Sequence, residues 1–141
     1  MPKKRVLVIE DEETIGEAIR DGLELAGYAA DVFTDADLAL ASFAEGKHGL
    51  VVTDIVMPKR EGFELLREFK KMVPGVGVVA ISGGGRFVPG GSLLELAERL
   101  GADATLAKPF RLNELVRLVE ELDRRIDLAA LKVQPVAGAV Q

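Results

Sequence analysis

The sequence predicts a doubly wound α/β domain, a parallel sheet covered by helices on both faces. Three observations carry that prediction. Short β-branched apolar runs recur without polar alternation, as strands buried on both faces do. Segments with apolar residues at helical spacing separate these runs. The alternation repeats through the chain, so each strand can return to the sheet by a right-handed crossover helix.

Val6-Leu7-Val8-Ile9 is the first strand, and Ile15, Ala18, Ile19 and Gly22 mark a helix ending near Gly27. Ala29 to Phe33 is the second strand, followed by a helix from Ala36 to Ala44 closed by Gly46. Leu50-Val51-Val52-Thr53 leads to a helix through Phe63, Leu66 and Phe69, stopped by Pro74. Val76 to Ile81 precedes a glycine-rich loop and a helix through Leu93, Leu96, Ala97 and Leu100. Ala104 to Ala107 is the last strand, and Leu112, Leu115, Val116, Val119 and Leu122 lie on the last helix. Five strands and five helices fit the flavodoxin-like strand order 2-1-3-4-5. Residues 1–125 are expected to form one domain and 126–141 a C-terminal tail. Leu115, Val119, Leu122, Ile126, Ala129 and Val133 keep one apolar stripe into that tail, so it can extend the last helix as far as Pro135. The stripe is shorter than a coiled coil needs, and a monomer or weak homodimer is expected.

Composition removes whole classes of function. The 141 residues include no cysteine, which excludes disulfide scaffolds, thiolate metal sites and cysteine nucleophiles and suits a reducing cytoplasm. One histidine, His48, is too few for a multi-histidine metal site, and its Gly-flanked position reads as a solvated loop. The net charge of −5 offers no basic surface for nucleic acid, so direct nucleic-acid binding is not expected. The longest stretch free of charge, Met72 to Gly85, falls short of the about 20 apolar residues that span a bilayer and is broken by Pro74. Lys3, Lys4 and Arg5 precede an apolar run too short for a signal peptide, and they read as the wet start of a strand.

Ligands of such sheets bind beyond the carboxyl ends of the strands. There the sequence places Glu10, Asp11, Glu12 and Glu13 after the first strand, Asp54 after the third, Ser82 after the fourth and Lys108 after the fifth. Converging carboxylates repel unless a cation joins them, and oxygen ligands of this kind suit Mg²⁺. A metal, an ammonium and a hydroxyl around one carboxylate suit phosphoryl transfer, with Asp54 as nucleophile. An acidic first helical turn is also favoured by the helix dipole, but Asp54 has no such account, because the next helix starts beyond Pro58.

These residues resemble the response regulator receiver domain over roughly residues 4 to 123: Glu10-Asp11, Asp54 in VVTDIVMPKREGFELL, Ser82 in VVAISG and Lys108 in LAKPF. The resemblance implies a phosphoacceptor of a two-component system or phosphorelay. Asp54 would accept a phosphoryl group from the histidine of a sensor kinase or phosphotransfer protein. It also implies that Asp11, Asp54 and the backbone carbonyl of Val56 bind Mg²⁺, with Glu10 acting through water, and that Ser82 and Lys108 contact the phosphoryl oxygens. Lys108-Pro109 would be cis. The chain would not be an enzyme beyond its own phosphorylation and dephosphorylation, and it would signal through a downstream protein target. Thr105 stands where the family commonly carries the aromatic partner of the Ser82 switch, and the loop GGGRFVPGGS after Ser82 is longer than the resemblance implies.

Two other readings compete. A receiver fragment of a longer DNA-binding transcriptional regulator would share every residue above, and gene length distinguishes it. A phosphohydrolase with an aspartate nucleophile of the haloacid dehalogenase kind wants a second carboxylate two residues on, where Val56 stands. A dinucleotide fingerprint over Gly75 to Ala80 is rejected because it begins a strand rather than following one, and Gly83 to Gly85 lacks the Lys-Ser/Thr pair of a phosphate loop.

Overall fold

A computed structural model describes residues 3–55, 62–83, 87–88 and 91–133. Five strands form one parallel sheet: β1 (Arg5–Ile9), β2 (Ala30–Phe33), β3 (His48–Asp54), β4 (Gly77–Gly83) and β7 (Ala104–Lys108), in the order β2-β1-β3-β4-β7. Counting only these strands, the order is 2-1-3-4-5, as the sequence predicts. The helices are α1 (Glu13–Leu25), α2 (Ala36–Ala44), α3 (Gly62–Met72), α4 (Leu93–Arg99) and α5 (Leu112–Val133). The glycine-rich loop contributes something periodicity did not show. Two short strands, β5 (Phe87–Val88) and β6 (Gly91–Ser92), pair antiparallel, with Phe87 opposite Ser92.

The apolar runs divide between two layers, which is why they show no alternation. Val6 and Val8 face a core with Ile19 and Leu23 of α1 and Leu115, Val119 and Leu122 of α5. Leu7 and Ile9 face the opposite layer with Phe43 of α2 and Leu65, Leu66 and Phe69 of α3. There the Phe43 and Phe69 rings meet edge to face at 4.9 Å. α2 starts where Asp35 accepts a hydrogen bond from the Leu38 amide at 3.0 Å.

α5 crosses close over the sheet because Gly77 begins β4. A Cβ there would lie 2.6 Å from Ile126 Cδ1 and 2.9 Å from Leu122 Cγ. We expect Gly77→Ala to destabilise the fold by about 1–3 kcal/mol through overpacking. Gly75→Ala, where nothing lies within 4 Å of the added carbon, should change stability far less. Urea midpoints of the two variants provide the check, and equal midpoints would contradict the packing account.

The opposite edge of the sheet corrects two readings. His48 is not in a solvated loop: it opens β3, its side chain is buried, and its Nε2 lies 2.8 Å from Asp31 Oδ2. The reason is nonlocal, because β1 and β2 bring Arg5 and Asp31 to the same place. Arg5 donates to both Asp31 oxygens, at 2.6 and 2.9 Å. The basic start of the chain is likewise engaged rather than simply wet. Lys3 Nζ sits 4.8 Å from the Tyr28 ring centroid, and Lys4 reaches across to α5, pairing with Asp123 at 2.7 Å and with Asp127. Tyr28 donates to the other oxygen of Asp123 at 3.1 Å, and burial followed by that carboxylate pushes the phenol pKa up.

The hydrogen bonds from Arg5, with a smaller contribution from His48, hold the Asp31 carboxyl down at about 2, against an ordinary 3.8. A depressed acid pKa stabilises the fold above the unfolded value and loses that contribution as pH falls through the folded value. Asp31→Asn should therefore be less stable than the parent at neutral pH, with the gap closing between about pH 4 and pH 2. Denaturant midpoints across that range measure it, and a gap that widens toward acid would contradict the assignment.

Candidate functional site

Parallel in-register pairing brings the carboxyl ends of four strands together. Ile9 pairs with Thr53, Asp54 with Ile81, Ser82 with Ala107 and Gly83 with Lys108. The sequence reading set Asp54, Ser82 and Lys108 just beyond their strands. The ladder instead takes them in: Asp54 and Lys108 are the last residues of β3 and β7, and Ser82 lies within β4. The backbone of each is fixed by sheet hydrogen bonds, and the Ile55 amide still donates to the Ile81 carbonyl at 2.9 Å.

Lys108 joins two carboxylates from different strand ends. Its Nζ lies 2.8 Å from Asp54 Oδ2 and 2.7 Å from Glu10 Oε1. Glu10 is 1% exposed and Asp54 5% exposed. The second oxygen of Glu10 accepts from the Glu12 amide at 3.1 Å, and the Glu10 amide is tied to the Phe33 carbonyl, which anchors the acidic turn to the sheet. Burial raises the Glu10 pKa, with Lys108 opposing that rise. Burial also works against the Lys108 charge, but hydrogen bonds to Asp54 and Glu10 outweigh it and raise the lysine pKa. Asp11 is exposed beside them.

One carboxylate oxygen from each of Glu10, Asp11 and Asp54 lies within 4.8 Å of the others. An octahedral Mg²⁺ with bonds of about 2.1 Å holds its ligand oxygens roughly 3 to 4 Å apart. The cluster thus fits a magnesium ion after small side-chain adjustments. It also has reason to take one, since among the described residues one ammonium, that of Lys108, faces two buried carboxylates and a third exposed one. The backbone carbonyl of Val56, expected as a further ligand, lies outside the described residues, as do Met57 and Pro58.

Ser82 is fully buried, and its hydroxyl has no hydrogen-bond partner among the described residues. An orphaned buried donor costs about 1–3 kcal/mol and is a ready partner for an incoming oxygen. Lys108-Pro109 is cis. Thr105 does not reach this cluster. It is half-buried on β7, and its hydroxyl donates to Glu98 Oε1 on α4 at 3.1 Å. Sequence reasoning did not find Glu98, because nothing local sets α4 against β7.

An apolar groove of about 590 Å³ opens beside Lys108, lined by Thr14, Ile15, Ala18, Pro109, Phe110 and Leu112. It joins α1 to the β7–α5 turn at the rim of the acidic cluster. Among the described residues, no helix is long and apolar enough to cross a membrane.

Comparison with known proteins agrees with the geometry. The family profile described as the response regulator receiver domain matches residues 6–120. The chain is 32% identical over 127 residues to the transcriptional regulatory protein RprY of Bacteroides fragilis, covering 88% of this chain and 51% of that protein. It is 34% identical over 119 residues to the DNA-binding transcriptional regulator NtrC of a Bradyrhizobium species, covering 84% and 24%. The chain thus spans about half, or a quarter, of the length of these curated relatives. Among solved structures, a response regulator receiver domain protein from Clostridium thermocellum superposes with a TM-score of 0.80 at 32% identity, covering 89% of this chain and 98% of that one. A CheY-like receiver domain protein from Methanospirillum hungatei gives 0.81 at 27% identity, covering 90% and 98%.

Proposed function

The chain belongs to the response regulator receiver family, and from that premise we propose that Asp54 is its phosphoacceptor. The observation that carries this reading is the buried Asp54 carboxylate, held by Lys108 at 2.8 Å beside Glu10, Asp11 and the unpartnered Ser82 hydroxyl. One Asp54 oxygen attacks the phosphorus of a phosphohistidine. The new O–P bond forms as the N–P bond breaks, and the imidazole leaves with a proton from solvent.

Glu10, Asp11 and Asp54, with the Val56 carbonyl, would hold Mg²⁺, which supplies positive charge against the phosphoryl oxygens. Lys108 holds the acceptor carboxylate in the attacking position and then follows the transferred charge. Ser82 donates to a phosphoryl oxygen, satisfying its buried hydroxyl. Thr105 takes the switch position through its hydrogen bond to Glu98, so output passes to α4 by a polar contact rather than by the burial of an aromatic ring. The apolar groove beside Lys108 supports contact with the donor, a sensor histidine kinase or histidine phosphotransfer protein. In this reading the chain is no enzyme beyond its own phosphorylation and dephosphorylation, and the phosphorylated form changes its affinity for a downstream protein.

Whether that target lies on another molecule divides two readings. One is a stand-alone receiver in the cytoplasm. The other is the receiver module of a DNA-binding regulator, supported by relatives named as transcriptional regulators that are about twice to four times as long. Phosphorylation of the purified chain by acetyl phosphate, with and without Mg²⁺, tests the shared chemistry. A Mg²⁺-dependent phosphoryl adduct at Asp54 is expected, and an adduct at any other residue would overturn the assignment.

A further inference from the structure

We propose that the cleft between α1 and the β2–α2 turn docks a basic segment of a partner protein, one that seats a large apolar side chain beside a lysine or arginine. The cleft encloses about 330 Å³, and its apolar floor is Val32 and Phe33 of the edge strand β2 with Leu38 of α2. A second cleft of about 530 Å³ shares Phe33 and Leu38 and runs along α2. Val32 and Phe33 are half-buried, whereas Leu38 is 61% exposed between the two clefts. This is a different flank of α1 from the groove beside Lys108. Glu13 and Glu17 line the cleft, Thr14 and Ala18 line that groove, and the two pairs stand about 100° apart around the helix.

The rim sets the charge of the occupant. Glu13 and Glu17 are exposed one helical turn apart, and neither has a hydrogen bond or ion pair among the described residues. Asp35 adds a third carboxylate, one oxygen of which accepts from the Leu38 amide. Arg20 also lines the cleft and pairs with Asp21 at 3.7 Å. Three carboxylates against one guanidinium leave the cleft negative. Like charges at i and i+4 work against their helix, and a cation between them relieves that. The two side chains start about 5–6 Å apart, so one arginine fork can meet both. The same charge turns away the phosphates of nucleic acid, and a second copy docking by this face would set carboxylates against carboxylates. The apolar floor supplies the anchor and the carboxylates supply the selectivity. A partner held here leaves the groove beside Lys108 open to a phosphoryl donor.

A phage-displayed library of random dodecapeptides, selected on the full chain, tests the proposal. Selected sequences should carry a large apolar residue close to lysine or arginine, and the best binder is then made as a labelled peptide for fluorescence anisotropy. Glu13→Gln/Glu17→Gln and Leu38→Ala should each weaken its binding by about tenfold, with helical spectra like the parent's. Ala18→Gln, in the groove beside Lys108, should leave the affinity unchanged. The proposal would be overturned by a library that yields no binder or mainly acidic or uncharged ones. Affinity that survives both cleft variants, or that falls in Ala18→Gln instead, would place binding elsewhere and overturn it too. Self-association of the parent that Leu38→Ala abolishes would assign the cleft to a second copy and likewise overturn it.

Discussion

Asp54→Asn should leave the protein folded and phosphoryl labelling reduced by about 100-fold or more, because the asparagine cannot form the acyl phosphate. The fold tolerates this change for a reason visible at the site. An asparagine oxygen still accepts from Lys108, which lies 2.8 Å from Asp54 Oδ2, and one negative charge leaves a cluster of three carboxylates. In the proposed reading Asp54 is also a Mg²⁺ ligand, so the stabilising effect of Mg²⁺ on the thermal midpoint should shrink in the variant. Labelling by acetyl phosphate or a phosphorylated kinase measures the first expectation and a melting curve with and without Mg²⁺ the second. Undiminished labelling would show that the acceptor lies elsewhere.

The second large effect belongs to Lys108. Lys108→Met removes the ammonium that lies 2.7 Å from Glu10 and 2.8 Å from Asp54, leaving two buried carboxylates facing each other. Breaking a buried ion pair from one side costs about 3–5 kcal/mol. Because the lysine is 20% exposed, solvent and partial protonation should soften the loss to about 2–4 kcal/mol. Millimolar Mg²⁺ should recover part of that loss and stabilise the variant more than the parent, since Lys108 no longer competes for the carboxylates. Urea midpoints at several Mg²⁺ concentrations provide the measurement. A variant as stable as the parent without Mg²⁺ would mean that the carboxylates are not held together under strain.

The legible part of this molecule is what short-range pattern encodes. Val6 to Ile9 and Leu50 to Thr53 announce doubly buried strands because both faces demand apolar side chains, and α2 matches its expected span because Asp35 caps it. Glu10, Asp11, Asp54, Ser82 and Lys108 could be grouped before any coordinates, since a parallel sheet gathers the ends of its strands on one edge. What escaped was decided between distant segments. His48 looks solvated among its sequence neighbours and is buried only because Arg5 and Asp31 arrive from two other strands. Ser82 joined the ladder because β7 extended pairing as far as Gly83 and Lys108. Lys4 and Asp123 are 119 positions apart, and the Thr105 contact with Glu98 depends on how α4 lies against β7.

The contact from Lys4 to α5 also sets a schedule for synthesis. β1 is central in the sheet and is made well before α5, so its Val6 and Val8 face is covered by Ile19 and Leu23 of α1 alone until Leu115, Val119 and Leu122 emerge. At about 5–20 residues per second, the 119 positions between Lys4 and Asp123 take roughly 6 to 24 seconds to make. During that interval this layer of the sheet is only partly covered. The growing chain therefore carries an aggregation-prone apolar patch until α5 closes the layer, which makes α5 decisive for the fate of β1.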